Sequence, residues 1–224
     1  MIGLVVVSHS LLLADGVAEL AGQMAPDVRV VPSGGDGSGG LGTDYLAVAE
    51  AVSQADSGEG VVVLFDLGSA KMVAEMAAEE SAGEVLVVDA PLVEGAVAAA
   101  VAAQGGAGLA QVAAAAAGEE AGSARGEEAE SAASTEDALR EEILLTNEVG
   151  LHARPAALLA RSLAGLDARV AVRFGDEEAD AASVLALMGL GAPGGGRIEV
   201  TATGPDAAEA LRRVTDLAAR KFDE

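Results

Sequence analysis

The chain of 224 residues holds two histidines, His9 and His152, and each stands where a strand gives way to a helix. A neutral imidazole nitrogen is a competent nucleophile near pH 7, which makes both positions candidates for group transfer. Around His152 the segment is Asn147-Glu-Val-Gly-Leu-His-Ala-Arg-Pro-Ala-Ala-Leu-Leu-Ala-Arg161. Glu142–Thr146 reads as a short strand that Gly150 breaks, and Pro155 suits the first turn of a helix, where its missing N–H is not needed. Residues 156–163 continue as an amphipathic helix. His152 therefore precedes a helix N-terminus, with Arg154 two residues on. Unpaired N–H groups and positive dipole at a helix start suit a phosphate. The chemistry suggested is a phosphohistidine whose oxygens are held by backbone amides and Arg154. A surface histidine that merely precedes a helix fits the same residue types.

The second candidate lies near the N-terminus. Ser8-His9-Ser10 follows the apolar run Gly3–Val7, a Gly-rich loop spans 33–42, and Asp66-Leu-Gly-Ser69 follows the apolar run 61–65. In an open α/β sheet, sites form outside the carboxyl ends of strands, so all three stretches fall at one edge. A carboxylate at Asp66 that accepts from one imidazole nitrogen of His9 would fix the tautomer and leave the other nitrogen free to attack phosphorus. Glycines at that edge let backbone N–H groups approach a phosphoryl group. Plain alternatives stay open: a flexible turn for the Gly-rich loop, a helix cap for Asp66, a strand-end histidine bonded to a carbonyl for His9. The loop has neither the lysine of a P-loop nor the spacing of a dinucleotide fingerprint.

The elements that must position these residues fall into two patterns. The first alternates strictly. Strands are expected at 3–7, 28–31, 61–66 and 84–89, with helices at 11–24, from a Thr43 cap to 54, from a Ser69 cap to 80, and from Pro91 onward. That order predicts an α/β domain with a parallel sheet. The second reads strand 142–146, helix 156–163, strand 169–174, a short strand or turn at 180–182, helix 184–190, strand 197–203 and a helix from Pro205 to about 221. β-α-β-β-α-β-α of this kind predicts an antiparallel sheet with helices on one face, an α+β open-faced sandwich.

Between the two, residues 108–138 are small, acidic and low in hydrophobicity, and they are expected to be a mobile linker. The domains are thus placed at 1–107 and 139–224. Charge is spread unevenly: 1–107 carries 2 basic and 15 acidic residues, whereas 139–224 carries 10 and 14. The net charge of −23 argues against nucleic-acid or anionic-membrane partners. Absent cysteine rules out a thiolate site and fits a reducing cytoplasm, and two histidines do not make a multi-histidine metal centre. Residues 1–13 lack the basic start of a signal peptide, and the Ala-rich stretch 96–117 is too poor in Leu and Ile to drive membrane insertion, so it is expected to be soluble helix.

Gly150-Leu-His-Ala-Arg-Pro-Ala156 matches without a gap the active-site signature of the HPr family, histidine phosphocarriers of the bacterial phosphoenolpyruvate-dependent phosphotransferase system. The resemblance covers about residues 139–224 and implies that enzyme I phosphorylates His152, which passes the group to an enzyme IIA. Ser183-Val-Leu-Ala-Leu-Met-Gly-Leu190 resembles the HPr segment that carries a regulatory serine, with Val184, Leu185 and Met188 implied as partner contacts. Capping alone explains a serine at a helix start, and Asp180-Ala-Ala lacks the basic residue often found there.

The N-terminal part carries Val-Val-Ser-His-Ser, Gly42-Thr43, Asp66-Leu-Gly-Ser-Ala-Lys-Met72 with Glu75-Met76, and Asp89-Ala-Pro-Leu-Val-Glu-Gly95. Together these resemble the mannose-type enzyme IIA family and, more narrowly, the phosphotransfer subunits of phosphoenolpyruvate-dependent dihydroxyacetone kinases. The resemblance implies that His9 is phosphorylated, with Asp66 as its hydrogen-bond partner. It implies a relay from enzyme I through His152 and His9 to ADP on the nucleotide-binding subunit of the kinase, alongside a substrate-binding subunit. A homodimer through the N-terminal domain is also implied, and no cofactor or metal of its own. Some family members add an enzyme I-like segment in tandem, and this chain is expected to lack it. Alternative readings are an enzyme IIA–HPr component of mannose-type sugar uptake, with His9 donating to an enzyme IIB, and a regulatory protein whose phosphorylation controls binding.

Overall fold

The computed structural model describes residues 1–118 and 138–223, and the chain divides near residue 119 into two compact units. Most of the segment expected as a linker, 119–137, lies outside the described residues.

In the first unit β1 (Gly3–Ser8), β2 (Val30–Gly34), β3 (Val61–Phe65) and β4 (Val85–Val88) form an all-parallel sheet in the order β2-β1-β3-β4. The helices between and after them are α1 (Leu11–Met24), α2 (Tyr45–Ala55), α3 (Gly68–Glu79), α4 (Leu92–Gln104) and α5 (Leu109–Ala117). Central β1 and β3 are buried on both faces, which is why they read as unbroken Val and Leu runs. Successive side chains leave a strand on opposite faces. Leu4, Val6 and Leu64 accordingly join one core with α1, α4 and α5, while Val5, Val7 and Val63 join the other with α2 and α3. Burying each such side chain contributes roughly 1.5–3 kcal/mol. Facing residues on the helices are mostly alanine, including Ala14, Ala21, Ala70, Ala74, Ala96 and Ala99, so helices lie close on the sheet and no large aromatic is needed.

Several expected boundaries move. Residues 109–117, assigned to the linker by composition, form α5, and its Val112 and Ala116 are fully buried in the first core. The Ala-rich stretch is two helices, since α4 ends at Gln104 and the chain turns at Gly105-Gly106 before α5. Asp44, not Thr43, caps α2, its side chain accepting from the Ala47 N–H at 3.0 Å. Ser69 lies inside α3 rather than ahead of it; Leu67 is the N-cap there and makes no side-chain cap.

The second unit runs β5 (Leu139–Leu144), α6 (Ala153–Leu163), β6 (Arg169–Phe174), β7 (Glu177–Asp180), α7 (Val184–Gly189), β8 (Arg197–Thr203) and α8 (Ala207–Ala219). Its sheet is antiparallel in the order β5-β8-β6-β7. β8 alternates buried Ile198, Val200 and Ala202 with part-exposed Glu199, Thr201 and Thr203, as one covered face requires. α6 and α8 turn apolar stripes to that core, Leu159 on one and Val214 on the other. After α8, Lys221, Phe222 and Asp223 all take positive φ, and Phe222 is fully buried. Its apolar burial offsets the strain of left-handed backbone at non-glycine residues. Among the described residues no helix is long and apolar enough to cross a membrane.

Candidate functional site

His9 follows the last residue of β1, and Asp66 follows the last residue of neighbouring β3, so parallel pairing in register sets them side by side. Asp66 Oδ1 lies 2.9 Å from His9 Nδ1. Its Oδ2 accepts from the His9 backbone N–H at 2.8 Å and from the Ser8 hydroxyl at 2.9 Å. Oδ1 also accepts the Leu67 N–H at 2.7 Å, so the carboxylate sits across the start of α3 as well as beside the imidazole. Burial by itself pushes the Asp66 carboxyl up, but donation from the His9 N–H, the imidazole and Ser8 outweighs it and holds the group below the usual carboxylate value.

An ionised Asp66 can only accept, which places the proton of the neutral imidazole on Nδ1. Nε2 then carries a lone pair, and it lies 2.7 Å from Ser69 Oγ, whose hydroxyl is the donor in that bond. The imidazole is a quarter exposed, which leaves Nε2 within reach of a partner once Ser69 gives way. Sequence reading took Ser69 for a cap because a serine at a helix start commonly is one. The signal available was that the two residues fall at the same sheet edge. The Gly-rich loop closes the other side, with the Gly42 N–H donating to the His9 carbonyl at 2.9 Å.

In the second unit His152 is the N-cap of α6 in extended conformation, and Arg154 stands exposed in the first turn. The approach is fixed by Gly150, whose φ of +89° suits glycine and where an added Cβ would meet the Ala192 carbonyl at 2.0 Å. The Leu151 N–H donates to Ala192 at 2.9 Å, and the Asn147 side-chain amide donates to the Gly150 carbonyl at 2.8 Å. Buried Asn147 is a residue that sequence reading passed over; it pins the turn that delivers His152 to the helix start. The N–H groups of Ala153 and Arg154 begin the helix, where no preceding turn supplies acceptors. Ser183 caps α7, accepting from the Ala186 N–H at 3.2 Å. Of the apolar residues after it, Val184 is buried and thus withdrawn from partners, while Leu185 and Met188 are partly exposed. Among the described residues no group of three or more His, Asp and Glu is placed to hold a metal ion.

The fold and site define two histidine modules, one on a parallel sheet edge and one at a helix start. The family model described as "PTS system fructose IIA component" matches residues 3–113, and that described as "PTS HPr component phosphorylation site" matches residues 139–220. "PEP-dependent dihydroxyacetone kinase 2, phosphoryl donor subunit DhaM" of Listeria innocua is 42% identical over 45% of this chain and 85% of its own length. "Phosphocarrier protein NPr" of Escherichia coli is 46% identical over 38% of this chain and 97% of its own. The DhaM of Providencia stuartii is 35% identical over all of this chain and 51% of its own length. This chain belongs to the DhaM family. It spans about half the length of the longer DhaM relatives that it matches throughout.

Proposed function

We propose that the chain is a phosphoryl carrier with two successive phosphohistidines, serving a phosphoenolpyruvate-dependent dihydroxyacetone kinase. Enzyme I charges His152, His152 passes the phosphoryl group to His9, and His9 passes it to ADP on the nucleotide-binding subunit, which phosphorylates dihydroxyacetone on its substrate-binding partner. The chemistry takes place in the cytoplasm.

The observation that carries this reading is the His9 arrangement, with the Asp66 carboxylate at Nδ1 and Nε2 turned to the Ser69 hydroxyl. In the transfer, the Nε2 lone pair bonds to phosphorus as the donor N–P bond breaks. Nε2 has no proton to lose, and Nδ1–H remains donated to Asp66. The positive character the ring gains is stabilised by that charge-assisted hydrogen bond. Ser69 O–H must leave Nε2 for the new bond to form, and it then stands within reach of a phosphoryl oxygen. At His152, the start of α6 and Arg154 supply N–H and guanidinium donors for the same charge.

Incubation with enzyme I and labelled phosphoenolpyruvate, mapped at alkaline pH because phosphohistidine is acid-labile, tests the order. His152→Ala should leave His9 unlabelled unless free HPr is added, and His9→Ala should charge at His152 yet fail to phosphorylate ADP on the kinase subunit. Equal labelling of His9 with and without His152 would overturn the order.

A further inference from the structure

The Gly-rich loop between β2 and α2 is not a loose turn. Asp36 Oδ1 accepts from the Ser38 N–H at 2.9 Å, the Ser38 hydroxyl at 2.8 Å and the Gly40 N–H at 2.9 Å, and the Asp36 N–H donates to the Gly40 carbonyl at 3.2 Å. The Ser38 N–H above all, then its hydroxyl and the Gly40 N–H, hold the carboxyl below its ordinary value. The loop is also wrapped tightly on this side chain. An added Cβ at Gly40 would come within 2.5 Å of Asp36 Oδ2, and one at Gly42 within 3.0 Å of Asp36 Cβ.

Gly42 is the residue that meets the site, because its N–H donates to the His9 carbonyl. The backbone of His9 is therefore held from two sides. Asp66, beyond neighbouring β3, takes its N–H, and the Asp36 loop, beyond neighbouring β2, supplies a donor to its carbonyl. The Asp66 contacts fix the ring's tautomer, while the Gly42 N–H holds the carbonyl of the His9–Ser10 peptide, whose own N–H donates to Ser8 Oγ at 3.0 Å, and so helps to set the direction of Nε2. We propose that Asp36 is a positioning residue for His9, acting through the Gly42 N–H. The proposal rests on the reading of His9 as a phosphoryl carrier.

The test uses the full chain, charged with enzyme I and phosphoenolpyruvate, with transfer to the ADP-loaded kinase subunit followed in steady state. Misplacement of a reacting group by a fraction of an ångström is costly, so Asp36→Ala should lower kcat roughly tenfold. KM for the acceptor and the His9 tautomer read from imidazole nitrogen shifts should not move. Asp36→Asn keeps an oxygen acceptor for all three loop donors and should restore most of the rate. Exchange of the Gly42 amide, read by nuclear magnetic resonance, should quicken in Asp36→Ala and not in Asp36→Asn. A wild-type kcat in Asp36→Ala, a change in KM alone, an Asn variant as slow as Ala, or unchanged Gly42 exchange would each overturn the proposal. If wild-type His9 takes no label, the functional reading fails instead, while Gly42 exchange still reports whether Asp36 holds the loop.

Discussion

At the scale of the residue, Asp66 has one carboxylate and four donors to satisfy: the imidazole, the His9 N–H, the Ser8 hydroxyl and the Leu67 N–H. Replacing it by Asn retains size but introduces a donor that favours the opposite tautomer of His9. Loss of a charge-assisted hydrogen bond costs about 1.5–3 kcal/mol, so transfer through His9 should slow by roughly ten- to a hundredfold, while charging of His152 is unchanged. Rapid-quench measurement of both steps checks this. The same group sets a pH dependence. Its folded-state pKa lies below the unfolded carboxylate value of about 3.9, so ionisation favours the folded form. The stabilisation is fully present above that unfolded value and is lost as pH falls through the folded one. Acid titration of unfolding should therefore show a shallower loss of stability in Asp66→Asn, with the two curves parallel above pH ~5. A wild-type loss in acid would mean that other carboxylates carry it.

At the scale of the element, legibility followed burial pattern. α1, β6 and β8 end where periodicity put them, because one apolar stripe or one alternating face leaves little choice. α5 was read two ways, as part of the Ala-rich helical stretch 96–117 and as part of the linker from 108, because Leu109-Ala-Gln-Val-Ala-Ala-Ala-Ala-Ala117 is built almost wholly of small residues. In this chain, though, alanine is a frequent core residue, and the small residues that suggested a linker belong here to a helix packed on alanine neighbours. Ser69 was misread for a different reason. Capping rules are local, whereas the partner of its hydroxyl lies 60 residues away. His9 and Asp66 were legible as a pair because strand ends of a parallel sheet share an edge whatever the details. A fragment ending at residue 107 loses the buried Val112 and Ala116, and with them the apolar cover of α4. It should unfold at a melting temperature several degrees below that of a fragment ending at 118, given that about 1 kcal/mol moves a domain of this size by 4–8 °C. Equal melting temperatures would show that α5 adds nothing to the unit.

At the scale of the whole molecule, the two proposed carriers are joined in one chain, and the basic residues are concentrated around the second. Ten of the 13 Lys and Arg lie in 139–224, which makes that part the less acidic one although it too is net negative. Joining donor and acceptor covalently replaces a bimolecular encounter with one at a fixed effective concentration, in the millimolar range for short connections that can span the gap. If His152 serves His9 of its own chain, the flux from phosphoenolpyruvate to ADP per chain should not depend on carrier concentration at micromolar levels with enzyme I and kinase subunits in excess. A mixture of His9→Ala and His152→Ala chains, each retaining one carrier, can relay only between chains. Its flux should rise with the product of the two concentrations and stay well below that of the wild type at low micromolar protein. Added salt should change the mixture more than the wild type, because encounter between separate charged chains is screened whereas a covalent link is not. A mixture that matches the wild type at every dilution would show that the relay runs between chains from the start.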